Sequence, residues 1–324
     1  MRFSHVYVED KARRYPLTDE ILRKLSDVPV ISVGHYKDVF DRPRQDTEAQ
    51  KAKPALILAA REGNRIFRGA PVCQSFGQRN FYYSSNVMNC LFDCEYCYLK
   101  GMYPSSNIVV FVNFEDYEKD VTELLKDGPL YVCASYDTDL IALDGLAGLA
   151  GRWTDLARRN KDLLVELRTK AAPPVLENVP NVIYAFTVSP DEIAQRYEKN
   201  APSADARLTA AAKAVDAGCK VRLCFDPMIL ADGWQDIYGK FVDHVAEMID
   251  LKSVTDVSVG CFRISKEYLS SMRKKCLDSA IAWYPYVIRN GVAQYEEETD
   301  RQMQEFMCAS LCRYIAEEKI FKWN

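Results

Sequence analysis

Residues 90–98 read Cys90-Leu91-Phe92-Asp93-Cys94-Glu95-Tyr96-Cys97-Tyr98. Three thiols fall in the spacing C-x3-C-x2-C. A structural zinc ion takes four nitrogen or sulfur ligands, usually in paired spacings. The chain has three histidines (His5, His35, His244), none near this stretch, and no second C-x2-C. A redox pair of Cys94 and Cys97 leaves Cys90 without a role. Iron–sulfur clusters are held by thiolates, four for a full protein set. Three thiolates on a four-iron cluster leave one iron open to a small molecule, and that is the reading the spacing favours.

A chain of 324 residues holds one large α/β domain or two ordinary ones. With 48% hydrophobic and 27% charged residues, the composition is that of a soluble globular protein. No apolar run approaches the length of a transmembrane helix. Charged residues recur from the first positions, so no signal peptide is expected. Eleven cysteines without an export signal point to reduced thiols and a cytoplasmic location. A net charge of −4 argues against broad coating of nucleic acid, but residues 1–80 carry +5 and the remainder −9. A basic lobe on an acidic body can form a local phosphate-binding face or simply be solvated.

In chain order, Leu17–Ser26 reads as a helix capped by Thr18. Residues 29–33 and 54–60 read as strands, and the polar stretch 35–53 between them as a loop. From residue 81 strands and helices alternate. Strands are expected at 81–84, 130–134, 163–168, 182–188, 221–225 and 256–262. Helices are expected at 115–126, 145–160 (through several glycines), 204–217 with Ser203 as cap, 236–251 and 265–275. Alternating strands and helices imply parallel strands with right-handed crossovers. Six units suit a partial, TIM-like (β/α)6 barrel, with ligands at the C-terminal strand ends. The cysteine loop follows the first strand and so falls at that end. The expected division is an N-terminal α/β extension (1–76), the partial barrel (77–275) and a C-terminal extension (276–324) with a helix near 299–317.

The cysteine loop resembles that of the radical S-adenosylmethionine (SAM) superfamily, where the open iron binds the amino and carboxylate groups of SAM. Within it, Cys90-Leu-Phe-Asp-Cys94-Glu-Tyr96-Cys97-Tyr98-Leu99 is similar to the C-x3-C-x-Y-C-Y-L of the spore photoproduct lyases. The strand ends Thr138-Asp139, Thr169-Lys170 and Phe225-Asp226-Pro227 match less specifically, and the glycine-rich pair common in the superfamily is missing after strand two. The resemblance implies a radical SAM type of fold and repair of 5-thyminyl-5,6-dihydrothymine, an ultraviolet-induced thymine dimer, in DNA. It implies a 4Fe-4S cluster and SAM as cofactors, with Cys90, Cys94 and Cys97 as iron ligands. Tyr96, Thr138, Lys170 and Ser189 are then candidates for contact with SAM. A flavodoxin- or ferredoxin-type donor would reduce the cluster, and the resulting 5′-deoxyadenosyl radical would take hydrogen from C6 of the lesion. The lesion must be flipped out of damaged double-stranded DNA to react. Arg263, Arg289 and the tail are candidate phosphate contacts.

Fragmentation of the dimer leaves a thymine-methyl radical that must regain hydrogen. Tyr98 is implied in returning hydrogen to the cofactor. Many family members place a cysteine where this chain has Tyr136. The candidate donors here are Cys73, in the loop-like stretch Pro71–Phe76, then Tyr136 itself and Cys133. By strand alternation Cys133 should point away from a site faced by residues 136 and 138. Two other classes remain open: a radical SAM enzyme with a different nucleic-acid, peptide or small-molecule substrate, and a non-enzymatic, zinc-stapled DNA-binding protein.

Overall fold

The computed structural model describes residues 3–69 and 73–323. The chain divides into two compact units, Met1–Leu91 with Met102–Leu167, and Phe92–Gly101 with Arg168–Asn324.

The first unit contains a sheet in the order Val30–Val33, Val6–Glu9, Leu56–Ala59, Ile108–Phe111, Val87–Met88. The first four strands are parallel and the last is antiparallel. Leu56–Ala59 and Ile108–Phe111 are apolar at every position and fully buried, as suits central parallel strands. Ile108–Phe111 lies after the cysteine loop in sequence yet joins the N-terminal strands, a non-local pairing that no short-range signal announces. Beside this sheet in the same unit, Ile66–Arg68 runs antiparallel to Phe81–Ser84. Leu130–Cys133 pairs in parallel with Phe81–Ser84 and with Leu163–Thr169.

In the second unit Val182–Thr187, Lys220–Met228, Asp256–Cys261 and the terminal Ile320–Lys322 are all parallel. Every residue of Val182–Thr187 and Asp256–Cys261 is buried. Arg222 and Asp256 sit opposite each other in the ladder and pair below the surface, with Nη2 2.9 Å from Oδ2. A separate antiparallel sheet joins Arg263–Ser265, Val292–Gln294 and Val287–Arg289.

All six expected core strands are present, and the α/β class is the observed one. Several local expectations are corrected. The first helix is Pro16–Lys24 with Tyr15 at its N-cap; Pro16 opens it and the Thr18 hydroxyl turns back to donate to Ala12 O at 2.6 Å. Residues 35–53 are not a plain loop but carry the short helices Lys37–Phe40 and Thr47–Ala52. The single helix expected at 145–160 is two, Leu140–Ala147 and Leu149–Arg159. Gly148 separates them at φ +62°, a left-handed turn that glycine adopts without steric cost. Ser203 caps its helix as expected, accepting from Ala206 N at 3.3 Å. The last helix is Glu297–Leu311.

Candidate active site

In the second unit the segment Phe92–Gly101 is held by several independent contacts. Asp93–Cys94 pairs antiparallel with Glu198–Lys199, which sets Cys94 opposite Glu198. Glu95 N donates to Tyr197 O at 2.7 Å, and the Glu95 carboxylate accepts from Ser279 Oγ at 2.6 Å. Lys100 reaches Asp93 at 2.5 Å. Gly101 lies against the backbone of Tyr268 so closely that any Cβ would collide with that residue's carbonyl. The Tyr98 ring stacks beside Tyr268, with centroids 6.3 Å apart.

Around Cys94 and Tyr96 lies a buried charged network. Lys170 Nζ is 3.5 Å from Cys94 Sγ and donates to Tyr96 OH at 2.7 Å. The same ammonium is 3.6 Å from Glu198. Tyr96 OH donates to Glu198, which is ion-paired to Arg207 and accepts from Ser189 Oγ at 2.8 Å. Burial alone would raise the Glu198 carboxyl, but Lys170 and Arg207 outweigh it and hold it at about 2. Burial pushes the Tyr96 phenol well up, with Glu198 adding to the effect. Burial would also strip Lys170 of its proton, yet Cys94 and Glu198 keep it charged, with its pKa raised. The network therefore carries two cations and one carboxylate. The second cation is left facing Cys94 and Tyr96.

Lys170 and Ser189 thus come together with Tyr96 and Cys94, as expected of residues around one ligand. Glu198 and Arg207 are legible in the sequence as an acid and a base downstream of the strand end Ser189-Pro190, but their pairing with each other is not: nine residues and a helix start lie between them. Their worth is structural as well. Glu198 and Arg207 side chains are both 0% exposed. Removing one partner of such a pair leaves an uncompensated buried charge. Arg207→Ala should therefore lower stability by about 3 kcal/mol, the lower end of the usual range, because Lys170 stays near Glu198. Urea unfolding followed by circular dichroism measures it; a loss under about 1 kcal/mol, the scale of an exposed pair, would show the pair to be dispensable.

In the first unit, Cys73 Sγ is 3.2 Å from Tyr136 OH. The Tyr136 ring stacks on Tyr83, with centroids 4.1 Å apart. Burial, then the adjacent Cys73 sulfur, push the Tyr136 phenol far above its ordinary range, so it keeps its hydrogen at any physiological pH. Pro71 and Val72, which begin the stretch around Cys73, lie outside the described residues. Cys133 is corrected. Its strand ends at Cys133, and residues 134–138 form a turn to which alternation does not extend. Cys133 and Tyr131 both reach the Glu166 carboxylate, at 3.6 and 2.5 Å. The Tyr131 ring meets Phe76, so Cys133 faces the side that the Cys73 segment covers. Thr138 Oγ1 and Ser135 Oγ are buried and have no hydrogen-bond partner among the described residues.

These features suit a cluster with SAM. Buried polar atoms nearly always have partners, so the orphaned hydroxyl of Thr138 fits a residue that awaits a ligand. Burial raises the Cys94 thiol and pushes Cys97 up to about 11, and thiols so placed ionise readily only against a strong positive centre. Among the described residues no three His, Cys, Asp or Glu side chains converge on a single ion. Of the candidate phosphate contacts, Arg263 lies over the Trp323 ring at 3.4 Å and 3.7 Å from Asp226, and Arg289 pairs with Glu297 at 2.9 Å.

Comparison with known proteins places the whole chain among relatives. The spore photoproduct lyase of Geobacillus sp. (strain Y412MC61) is 21% identical, over 97% of this chain and 96% of that protein. That of Bacillus subtilis (strain 168) is 22% identical, over 78% of this chain and 74% of its own length. A solved structure of a spore photoproduct lyase complexed with dinucleoside spore photoproduct superposes with a TM-score of 0.84 at 17% identity, covering 99% of this chain and 98% of that one. A mutant with bound AdoMet and dinucleoside spore photoproduct gives 0.82 at 18%, with the same coverage. The fold is that of these structures, an α/β fold of the radical SAM type. The family model for spore photoproduct lyase matches residues 2–320, nearly the whole sequence, and the chain belongs to that family.

Proposed function

We infer that the protein is a radical SAM lyase that converts the spore photoproduct in DNA back to two thymines. The observation that carries this is the cysteine loop itself, C-x3-C-x-Y-C-Y-L, seated beside a charged lysine in a chain that the family model spans from end to end. Cys90, Cys94 and Cys97 would hold the cluster, and Lys170, Tyr96, Thr138 and Ser189 would contact SAM. Together these groups supply, when bound, a carbon-centred radical able to take a hydrogen atom from the lesion. The residues of the chain orient the partners and return hydrogen. Lys170 offers its ammonium to a carboxylate, and Glu198, itself fixed by Arg207, holds that ammonium in place. Tyr98 and the Cys73–Tyr136 pair offer hydrogen from O–H and S–H bonds, which are weaker than a thymine methyl C–H bond.

The partners are damaged double-stranded DNA and a one-electron donor of the flavodoxin or ferredoxin type. No helix of the described residues is long and apolar enough to cross a membrane. None of the eleven cysteines is in a disulfide, which supports the reading of a reducing, cytoplasmic setting. Anaerobic incubation of reconstituted protein with dinucleotide photoproduct, SAM and dithionite tests the assignment. Conversion of the photoproduct to the dinucleotide with two intact thymines, which is the thymine yield, is expected. SAM cleavage without thymine would instead mark a radical SAM enzyme with another substrate.

Lys170→Ala should weaken SAM binding by about 10- to 100-fold, the worth of a hydrogen bond to a charged group, at roughly 1.5–3 kcal/mol. Iron content should be unchanged. Equilibrium dialysis with labelled SAM is the measurement, and unaltered affinity would remove Lys170 from the SAM site.

A further inference from the structure

The helix Lys266–Lys275 presents two opposite faces. Residues 268 and 275 point one way, because seven residues are close to two turns. On that face Tyr268 packs on Tyr98 and Gly101, and Lys275 Nζ donates to Lys100 O at 2.8 Å. This face buttresses the cysteine loop. Positions 266, 269, 270, 273 and 274 follow the i, i+3, i+4, i+7, i+8 pattern and share the other face. They line an open groove of about 560 Å³ completed by Leu277, Trp283 and Ile288.

The groove is apolar with a basic rim. Leu277, Trp283 and Ile288 are 71%, 53% and 47% exposed, three of the six large hydrophobic side chains so exposed among the described residues. Exposed apolar side chains gathered in one patch mark interaction surfaces. The rim is formed by Lys266, Arg273 and Lys274. Arg273 donates to Ala282 O at 2.7 Å and lies 5.4 Å from the Trp283 ring, which fixes one wall. Lys266 and Lys274 have no ion-pair partner among the described residues. The groove is thus lined by three cations, Lys266, Arg273 and Lys274, and by no acid, in a chain of net charge −4.

We propose that this groove docks an acidic one-electron carrier protein, and that the helix Lys266–Lys275 joins the docking face to the cysteine loop. The proposal rests on the reading of the chain as a radical SAM enzyme. The loop needs electrons singly from outside. One helix, about 10–12 Å across with its side chains, separates the groove from the loop. Electron-transfer encounters are small, under about 1,200 Å² in total, the scale of one groove and its rim. A basic rim steers an acidic partner, and a short apolar floor gives it a seat without tight binding. A DNA backbone would use the cations and leave Leu277 and Ile288 unexplained. In docking, the carrier is oxidised by one electron and the enzyme reduced by one, with no bond made or broken at the interface.

The test uses reconstituted full-length enzyme and a bacterial flavodoxin, a small acidic flavin protein. The double variant Lys266→Glu/Lys274→Glu should raise the flavodoxin Kd at least tenfold at low salt, with the difference shrinking as salt rises. Trp283→Ala should raise Kd independently of salt. Thymine formation driven by reduced flavodoxin should fall in both, and formation driven by dithionite should stay at the wild-type rate. An unchanged flavodoxin Kd would overturn the proposal. So would a loss of affinity for duplex DNA in place of flavodoxin, which would make this a nucleic-acid face. If neither reductant yields thymine from wild-type enzyme, the assigned reaction fails, while the Kd comparison still decides the docking face.

Discussion

Cys94→Ala is expected to abolish SAM cleavage and to lower bound iron after anaerobic reconstitution. Only three cysteines are available in the loop, so each removal leaves two protein ligands for a cluster that begins one short. Changes in the groups that merely orient metal ligands cost about 10–100-fold in affinity. Loss of a ligand itself should exceed that. Cys94 makes the sharpest of the three tests because its surroundings are known in detail. It pairs opposite Glu198 in the ladder, and its sulfur faces Lys170 at 3.5 Å. Those contacts are mostly backbone or belong to Lys170, Glu198 and Arg207, so the alanine variant should still fold, and circular dichroism verifies this. Iron analysis and 5′-deoxyadenosine release are then measured on folded protein. Full cleavage activity in this variant would show that Cys94 is not a ligand. A colourless wild-type protein that takes up zinc in place of iron would return the loop to a structural role.

The loop and six strands were legible because their signals are local. C-x3-C-x2-C is a spacing within eight residues, and strands such as Val182–Thr187 are runs of β-branched and aromatic residues. What escaped was set by distant partners. Ile108–Phe111 reads as one more apolar run, and only its pairing with Leu56–Ala59, some fifty residues earlier, makes it part of the N-terminal sheet. Glu198 looks like any surface acid until Arg207, Ser189 and Tyr96 enclose it. The break at Gly148 was readable in principle, since glycine is the common residue just past a helix end, but three glycines in sequence at 145, 148 and 151 gave no way to choose among them. The alternation argument for Cys133 failed for a related reason: it assumed that the strand continued to residue 138, whereas it stops at 133.

Cys73→Ala should leave SAM cleavage intact while thymine yield falls and by-products of the trapped substrate radical, such as sulfinate adducts from dithionite, appear. The product radical needs a hydrogen donor with a weak bond to hydrogen, and a thiol meets that need. Three candidates stand in the first unit. Cys133 is buried and its thiol points to Glu166 at 3.6 Å, in company with Tyr131. Its hydrogen is engaged, and it has little surface through which to meet a substrate. Tyr136 keeps its hydrogen because burial and the Cys73 sulfur raise its pKa. Its ring, however, is stacked on Tyr83 and its hydroxyl is turned to Cys73. Cys73 is half-buried, and so has both an accessible side and a partner 3.2 Å away. The pair can act in series: the thiol gives its hydrogen atom to the product, the Tyr136 hydroxyl then hands its own to the sulfur, and the Tyr136 oxygen radical so left would regain the hydrogen atom first taken from the lesion, which restores the pair for the next turnover. On that account the two variants differ. Cys73→Ala should lower thymine yield without abolishing it, because Tyr136 remains as a slower source of hydrogen. Tyr136→Phe should keep the first turnover and lose later ones, since the thiol is present but is not resupplied. Single-turnover and multiple-turnover assays separate these outcomes. A normal thymine yield from Cys73→Ala would end the role of the thiol, and a Tyr136→Phe enzyme already deficient in its first turnover would assign the donor to the phenol.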